Sequence, residues 1–211
     1  MSDEKKAKIL ETGTTTIAIT CKDGVVLSSD RRASSWFFIA SNDIQKVHQI
    51  DDKKVMTIAG SVGDAQTLVR WIQTQLRTYK TKEGKTMSTK AATTLLANAM
   101  FSYKFYPFMV QLLLAGYEDN KAEIYSLDAI GGITKEKFVS TGSGSPMAYG
   151  VMESEYKDNM PLKDTLKMAA KGIAIAMKRD CATGDGIDLV AITSEGFRRY
   201  SKEEIEKILK E

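Results

Sequence analysis

The chain is poor in cysteine, proline and histidine: of its 211 residues two are Cys, three are Pro and one is His. Cys21 and Cys181 form no CxxC and stand at no metal-like spacing from His48, so neither a disulfide framework nor a metal site is expected, and the thiols read as free and buried. No internal repeat, low-complexity tract or proline-rich linker divides the chain, and its length suits one large domain. No apolar run is long enough to span a membrane, and the N-terminus "MSDEKKAKILE" is charged where a signal peptide needs an apolar stretch. A cytoplasmic protein without membrane contact is expected. Blocks of one charge are missing too. The 30 basic and 27 acidic residues are dispersed, with a net charge of +3, which leaves no electrostatic footprint for nucleic acid. The densest basic spots, "DRR" at 30–32 and "FRRY" at 197–200, read as solvated strand ends.

What is present is an ordinary globular composition, 43% hydrophobic and 27% charged. The order of elements is more informative. "TTTIAITC" and "GVVLSSD" alternate like strands around "KDG", where Asp23-Gly24 suits a tight hairpin turn. "FFIAS", "IQKVHQI" and "KVMTIAG" extend the strand pattern to Gly60. The period then becomes helical: Ala65, Leu68, Val69, Ile72, Leu76 and Tyr79 mark one face of a helix over 63–80. A second helix is expected from Ser88, its cap, to about Tyr106, with Ala91, Leu95, Ala99 and Tyr103 on one side. Strands return in "FMVQLLLAGY", "AEIYSLDA" and "EKFVS". Ser145-Pro146 then reads as cap and first residue of a third helix. "PLKDTLKMAAKGIAIAMKRD" is a fourth, "GIDLVAITSEGFRRY" supplies two last strands, and "SKEEIEKILKE" reads as a charged tail. Helix pairs inserted between strand blocks predict an α+β fold in which helices cover layered sheets.

One stretch invites a chemical reading. "ETGTTTIAIT" sets three threonines at the mouth of the first strand, behind a glycine. β-Propensity accounts for the threonines but not for Gly13. A threonine hydroxyl inside a chain is a poor nucleophile, because a base must take its proton. At a chain start it carries its own base, since an α-amino group with a reference pKa near ~8 is partly neutral at pH 7. For Thr14 this requires removal of residues 1–13. Gly13, lacking a side chain, lets the backbone bend so that the hydroxyl can reach the preceding carbonyl.

"GTTTIAI", "DGVVLSSDRRAS", "KVHQID", "MTIAGSVGDAQ", "STGSGSPMAYGVME" and "RDCATGDGIDLVAIT" together resemble the β subunits of the proteasome, most closely the archaeal type. The resemblance runs from Gly13 to at least Thr193. It implies a four-layer αββα sandwich of the N-terminal-nucleophile hydrolase class, self-removal of a propeptide over 1–13, a single catalytic domain over 14–211, and threonine peptidase activity without cofactor or metal. Thr14 matches the nucleophile, Asp30 its acidic partner and Lys46 the lysine. A lysine ammonium there favours negative charge on the oxygen, lowers the pKa of a neighbouring amine, and is held by the carboxylate. Ser143, Asp180 and Thr183 match the hydrogen-bonding groups around the terminal amine, although the family usually has serine where Thr183 stands. Gly60 matches the glycine whose N–H faces the oxyanion.

The same resemblance implies that substrate adds as a strand between Ala33-Ser34 and the 60–62 segment. Ala33, Ile44, His48, Ile58 and Val62 occupy the positions of the specificity pocket. Four are apolar and none is charged, which predicts cleavage after large apolar residues; His48 reads as a hydrogen-bonded wall residue. The aromatic run "SSWFF" at 34–38 departs from the family pattern and reads as packing or a subunit contact. The implied partners are α-type subunits, further copies in seven-membered rings stacked α-β-β-α, an ATP-dependent unfoldase, and unfolded polypeptides confined in a closed chamber. Two rivals remain. Cys181 with His48 could make a cysteine hydrolase only if the fold brought them together, and a structural ring subunit would keep the fold without processing itself. The second lacks support here, because Gly13, Thr14, Asp30 and Lys46 are all present.

Overall fold

A computed structural model describes residues 13–35 and 38–210. Residues 1–12, most of the expected propeptide, and Trp36 and Phe37 of the aromatic run lie outside the described residues. The elements follow in the order β1 (Thr16–Cys21), β2 (Gly24–Asp30), β3 (Ala33–Ser35), β4 (Phe38–Ser41), β5 (Val47–Gln49), β6 (Lys54–Gly60), α1 (Val62–Glu83), α2 (Thr89–Ser102), β7 (Val110–Glu118), β8 (Lys121–Leu127), β9 (Ile133–Glu136), β10 (Phe138–Thr141), α3 (Ser145–Glu155), α4 (Leu162–Arg179), β11 (Ile187–Thr193), β12 (Gly196–Arg199) and α5 (Lys202–Lys210). Two five-stranded antiparallel sheets form, in the orders β10-β1-β2-β11-β12 and β5-β6-β7-β8-β9, with β3-β4 as a separate pair.

Strand alternation builds the layers. Ala18, Val25, Leu27 and Val190 of the first sheet meet Val55, Leu113 and Ala115 of the second between the sheets. The opposite faces carry larger side chains. Ile17, Ile19 and Val26 pack on Met152, Leu166 and Ile173 of α3 and α4, whereas Met56, Ile58, Leu112 and Leu114 pack on Leu68, Ile72, Leu76 and Leu96 of α1 and α2. The result is the expected α+β sandwich, four layers in the order αββα.

Several local expectations are corrected. The first hairpin turns on Lys22-Asp23, because Cys21 pairs with Gly24, and Gly24 is not at positive φ. Its glycine answers to crowding instead: a Cβ there would lie 2.1 Å from the Ile192 carbonyl oxygen. "IQKVHQI" is strand only over Val47–Gln49. "EKFVS" is two strands rather than one, since β9 pairs with β8 in one sheet and β10 with β1 in the other. At the crossing, the Lys137 carbonyl accepts from the Thr20 amide at 2.8 Å. α2 stops at Ser102, and 103–106 continue in single turns closed by bonds such as Tyr106 N–H to Tyr103 C=O, 2.8 Å, as the chain approaches Pro107. Its buried face holds Ala92, Leu96 and Met100, one residue on from the expected stripe. α3 is capped by Gly144 without a side-chain bond, and Ser145 and Pro146 are its first two residues. The C-terminal "tail" is helix α5, opened by a reciprocal cap in which Ser201 Oγ accepts from Glu204 N–H (3.3 Å) and Glu204 Oε2 from Ser201 N–H (2.7 Å). Cys21 is buried and Cys181 exposed, against the expectation for the second thiol.

Candidate active site

The threonines at the start of β1 each find a different partner. Thr14 Oγ1–H donates to the Gly13 carbonyl at 2.6 Å. Thr15 Oγ1 lies 2.7 Å from Thr183 Oγ1, and Thr16 Oγ1 lies 2.6 Å from Thr141 Oγ1. A strand that opens on hydroxyls thus makes a polar mouth between two otherwise apolar layers. Because β1 pairs with β10 on one side and β2 on the other, that mouth lies beside both the Asp30 end of β2 and the turn after Thr141.

Asp30 is fully buried and shared among four donors. Its Oδ1 accepts from Lys46 Nζ at 2.7 Å and from Thr15 N–H at 3.0 Å. Its Oδ2 accepts from Gly184 N–H at 3.0 Å and Arg32 N–H at 3.1 Å. A buried carboxylate so satisfied is held in one orientation. The Lys46 side chain is 5% exposed. Its burial draws the ammonium below the ordinary lysine pKa, and the Asp30 carboxylate opposes that shift.

On the other flank, Ser143 Oγ lies 3.2 Å from the Thr14 nitrogen, which donates to it. Ser143 and Thr183 both donate to Asp180 Oδ2, each at 2.6 Å. Gly60 closes β6 at φ +106°, where a side chain would be strained, and a Cβ there would lie 2.2 Å from the Met109 carbonyl oxygen. The Ile58 amide donates to Lys46 C=O at 3.0 Å and the Ser61 amide to Met109 C=O at 2.7 Å. By strand alternation the Gly60 N–H faces the same edge as that of Ile58, past the end of β5.

Among the residues read as lining a pocket, Ala33, Ser34 and Ile58 are buried, and Ile44, His48 and Val62 are half-buried. Ser34 Oγ accepts from the Gly13 amide at 2.9 Å, which brings the end of β3 to the Gly13-Thr14 bond. His48, expected as a hydrogen-bonded wall residue, is bonded at one end of its ring. The ring bonds the Gln45 backbone, while Nε2 is buried without a partner among the described residues. Burial first, and the Arg199 charge second, lower its pKa. The ring therefore makes no pair with the Cys181 thiol, and the cysteine-hydrolase reading lacks its geometry. Of the aromatic run, Phe38 is exposed in β4.

The proteasome subunit family matches residues 10–192. The chain belongs to the proteasome subunit family. It is 50% identical over 197 residues to "Proteasome subunit beta" of Methanosarcina barkeri, covering 93% of each chain. It is 47% identical over 198 residues to "Proteasome subunit beta 1" of Thermococcus onnurineus, 94% of this chain and 97% of that one. Over 208 residues it is 46% identical to "Proteasome subunit beta" of Methanothermobacter thermautotrophicus, 98% and 97% covered.

In this proteasome subunit the sequence reading missed several supports. Arg32 is no free strand end: its guanidinium pairs with Asp185 through Nε at 2.7 Å and donates from Nη1 to Cys181 C=O at 2.8 Å. It thereby pins the 181–185 loop that carries Thr183. Gly142 is small because a Cβ would lie 2.1 Å from the Thr14 carbonyl oxygen. Thr15 is strand-forming by propensity, yet it bonds both flanks of the site, Asp30 on one and Thr183 on the other. The quoted motifs contained all three residues, but hydrogen-bond partners so distant in sequence leave no local signal.

Proposed function

We propose that this β-type subunit of the proteasome core, a threonine endopeptidase, acts through Thr14 once the Gly13-Thr14 bond has been cut by the chain itself. The observation that carries this reading is the 2.6 Å hydrogen bond from Thr14 Oγ1 to the Gly13 carbonyl oxygen, since it sets the hydroxyl against the bond to be broken. In processing, Oγ1 attacks the Gly13 carbonyl carbon, the C–N bond breaks, and the Thr14 nitrogen gains a proton to become a free amine. Water then hydrolyses the ester, releasing residues 1–13 and restoring the hydroxyl.

In peptide hydrolysis the freed amine accepts the Oγ1 proton, directly or through water, as Oγ1 attacks the substrate carbonyl. The Lys46 ammonium, fixed by Asp30, favours negative charge on the nucleophile, and its depressed pKa reflects a site short of solvent screening. The Gly60 N–H serves the oxyanion. Ser143, with Asp180 and Thr183 behind it, orients the amine. The substrate lies as an added strand between the 33–34 and 60–62 segments, with a large apolar side chain in the pocket of Ala33, Ile44, His48, Ile58 and Val62. The subunit assembles with α-type subunits and with its own copies into stacked seven-membered rings fed by an ATP-dependent unfoldase, so that the cytoplasmic site meets only unfolded chains and the isolated subunit has little activity.

Replacement of Thr14 by alanine in the full chain, co-assembled with the α-type partner, tests the reading. Intact mass should show residues 1–13 retained, and peptide hydrolysis should vanish with processing. Turnover by Thr14→Ala particles would overturn it, and retention of the leader by the unmodified chain would favour a structural ring subunit.

A further inference from the structure

We propose that Thr15 is a positioning residue, whose hydroxyl and amide tie the Asp30-Lys46 flank of the site to the Asp180-Ser143 flank; this rests on the reading of Thr14 as nucleophile. Proton bookkeeping in the network assigns the direction of each bond. An Asp180 carboxylate only accepts, so the short contacts to its Oδ2, 2.6 Å from both Ser143 and Thr183, use the single proton of each hydroxyl. Ser143 Oγ is then left as acceptor for the Thr14 nitrogen at 3.2 Å, and its 3.3 Å approach to the Thr14 carbonyl has no proton to share. Thr183 Oγ1 is likewise left as an acceptor. At 2.7 Å its partner Thr15 must be the donor.

Thr15 is thus fixed at three atoms. Its Oγ1–H is committed to Thr183, its N–H donates to Asp30 Oδ1 at 3.0 Å, and its C=O accepts from the Asp30 amide at 3.2 Å. Asp30 Oδ1 is also the oxygen that holds Lys46. The residue is fully buried. Gly144 supplies separate support: a Cβ there would lie 2.0 Å from Thr15 Oγ1, so the α3 cap position leaves the space that this hydroxyl fills. Thr14 therefore sits between two anchored points, the Ser143 hydroxyl at its nitrogen and the clamped Thr15 that follows it in the chain.

The test compares Thr15→Val with Thr15→Ser in fully assembled, processed particles, with Thr14→Ala alongside. A valine methyl needs roughly 3.5 Å from its neighbours, so it cannot occupy the 2.7 Å contact without displacing Thr183. It also withdraws the proton that Thr183 accepts. Misplacement of this order lowers kcat by about 10- to 100-fold, and KM should stay within about twofold because no substrate contact is lost. With Thr183 a weaker donor, Asp180 bears more uncompensated charge and favours the protonated Thr14 amine, so the acidic limb of the kcat profile should move to higher pH. Thr15→Ser keeps the proton and should retain kcat within about threefold with the parent profile. Equal activity of Thr15→Val and Thr15→Ser overturns the proposal, as does an equal loss in both, which would assign the effect to the methyl. If Thr15→Val fails to assemble, Thr15→Ala is read in its place; failure of both, with Thr15→Ser assembling, would overturn the proposal in favour of a folding role. Activity in Thr14→Ala would instead remove the reading of the nucleophile itself.

Discussion

Two buried lysines lie on opposite sides of β5 in sequence and serve opposite ends. Lys54, at the start of β6, has a side chain with no exposed surface and pairs with both Asp51 and Glu118. Those carboxylates are 15% and 18% exposed, and Glu118 also accepts the Thr89 amide at 3.0 Å, fastening α2 to β7. Lys46 has one carboxylate, fully buried, which it shares with three backbone amides. A lysine with two carboxylates of its own is a strut. One whose single directly paired carboxylate is shared with three amides is, in the reading proposed for this site, left to stabilise a developing anion, and burial lowers its pKa.

The comparison can be broken at either lysine. The largest effect belongs to Lys46→Met: peptide hydrolysis should fall by about 10³-fold, measured on assembled particles. Removing Lys46 leaves Asp30 with its amide donors, so the folding penalty should be about 3 kcal/mol. Its pH dependence has a definite sign. The unfolded lysine titrates near 10.5 and the folded one below it, so between those values the unfolded chain holds more protons and the parent gains stability as pH rises. Below the folded pKa both states are charged and the desolvation cost is fully present. The stability advantage of the parent over Lys46→Met, read from denaturation midpoints at neutral and alkaline pH, should accordingly widen toward pH 10.5. A constant gap would remove the argument for a strained ammonium.

Lys54→Met sharpens the contrast from the other side. Its two carboxylates reach solvent in part, so the loss should be about 2 kcal/mol, with turnover per assembled particle unchanged. A large loss of turnover there would erase the distinction between strut and catalyst. The smallest effect is expected at Lys137, whose pair with Asp158 is exposed. Lys137→Met should change neither melting nor hydrolysis measurably, because such pairs are screened by water and salt.

How much of this was legible depended on whether the signal was local. The face of α1 was readable because Leu68, Val69, Ile72 and Leu76 form the only apolar stripe on that helix. On α2 the expected stripe Ala91-Leu95-Ala99-Tyr103 is not the buried one: Ala92, Leu96 and Met100 pack against Leu112 and Leu127, a choice made by the neighbouring strands and not by the helix period. α5 was missed although Ser201 and Glu204 stand at capping-box spacing, since its charge density suggested a tail. The break between β9 and β10 left no mark, because a strand that changes sheets keeps its alternation.

Chain chemistry alone determined most of the strand and helix order, α5 and the β9–β10 break excepted, and the placement of a threonine behind a glycine where self-cleavage is chemically possible. Those are properties of neighbouring residues, and neighbours are what a sequence records. Tertiary structure decided which residues meet. Asp30 and Lys46 are 16 positions apart, and Thr15 and Thr183 are 168 apart. Folding brings each pair within hydrogen-bond range only because two twisted sheets and their helices fix the strand ends, so the directions of the bonds around Thr14 follow from packing.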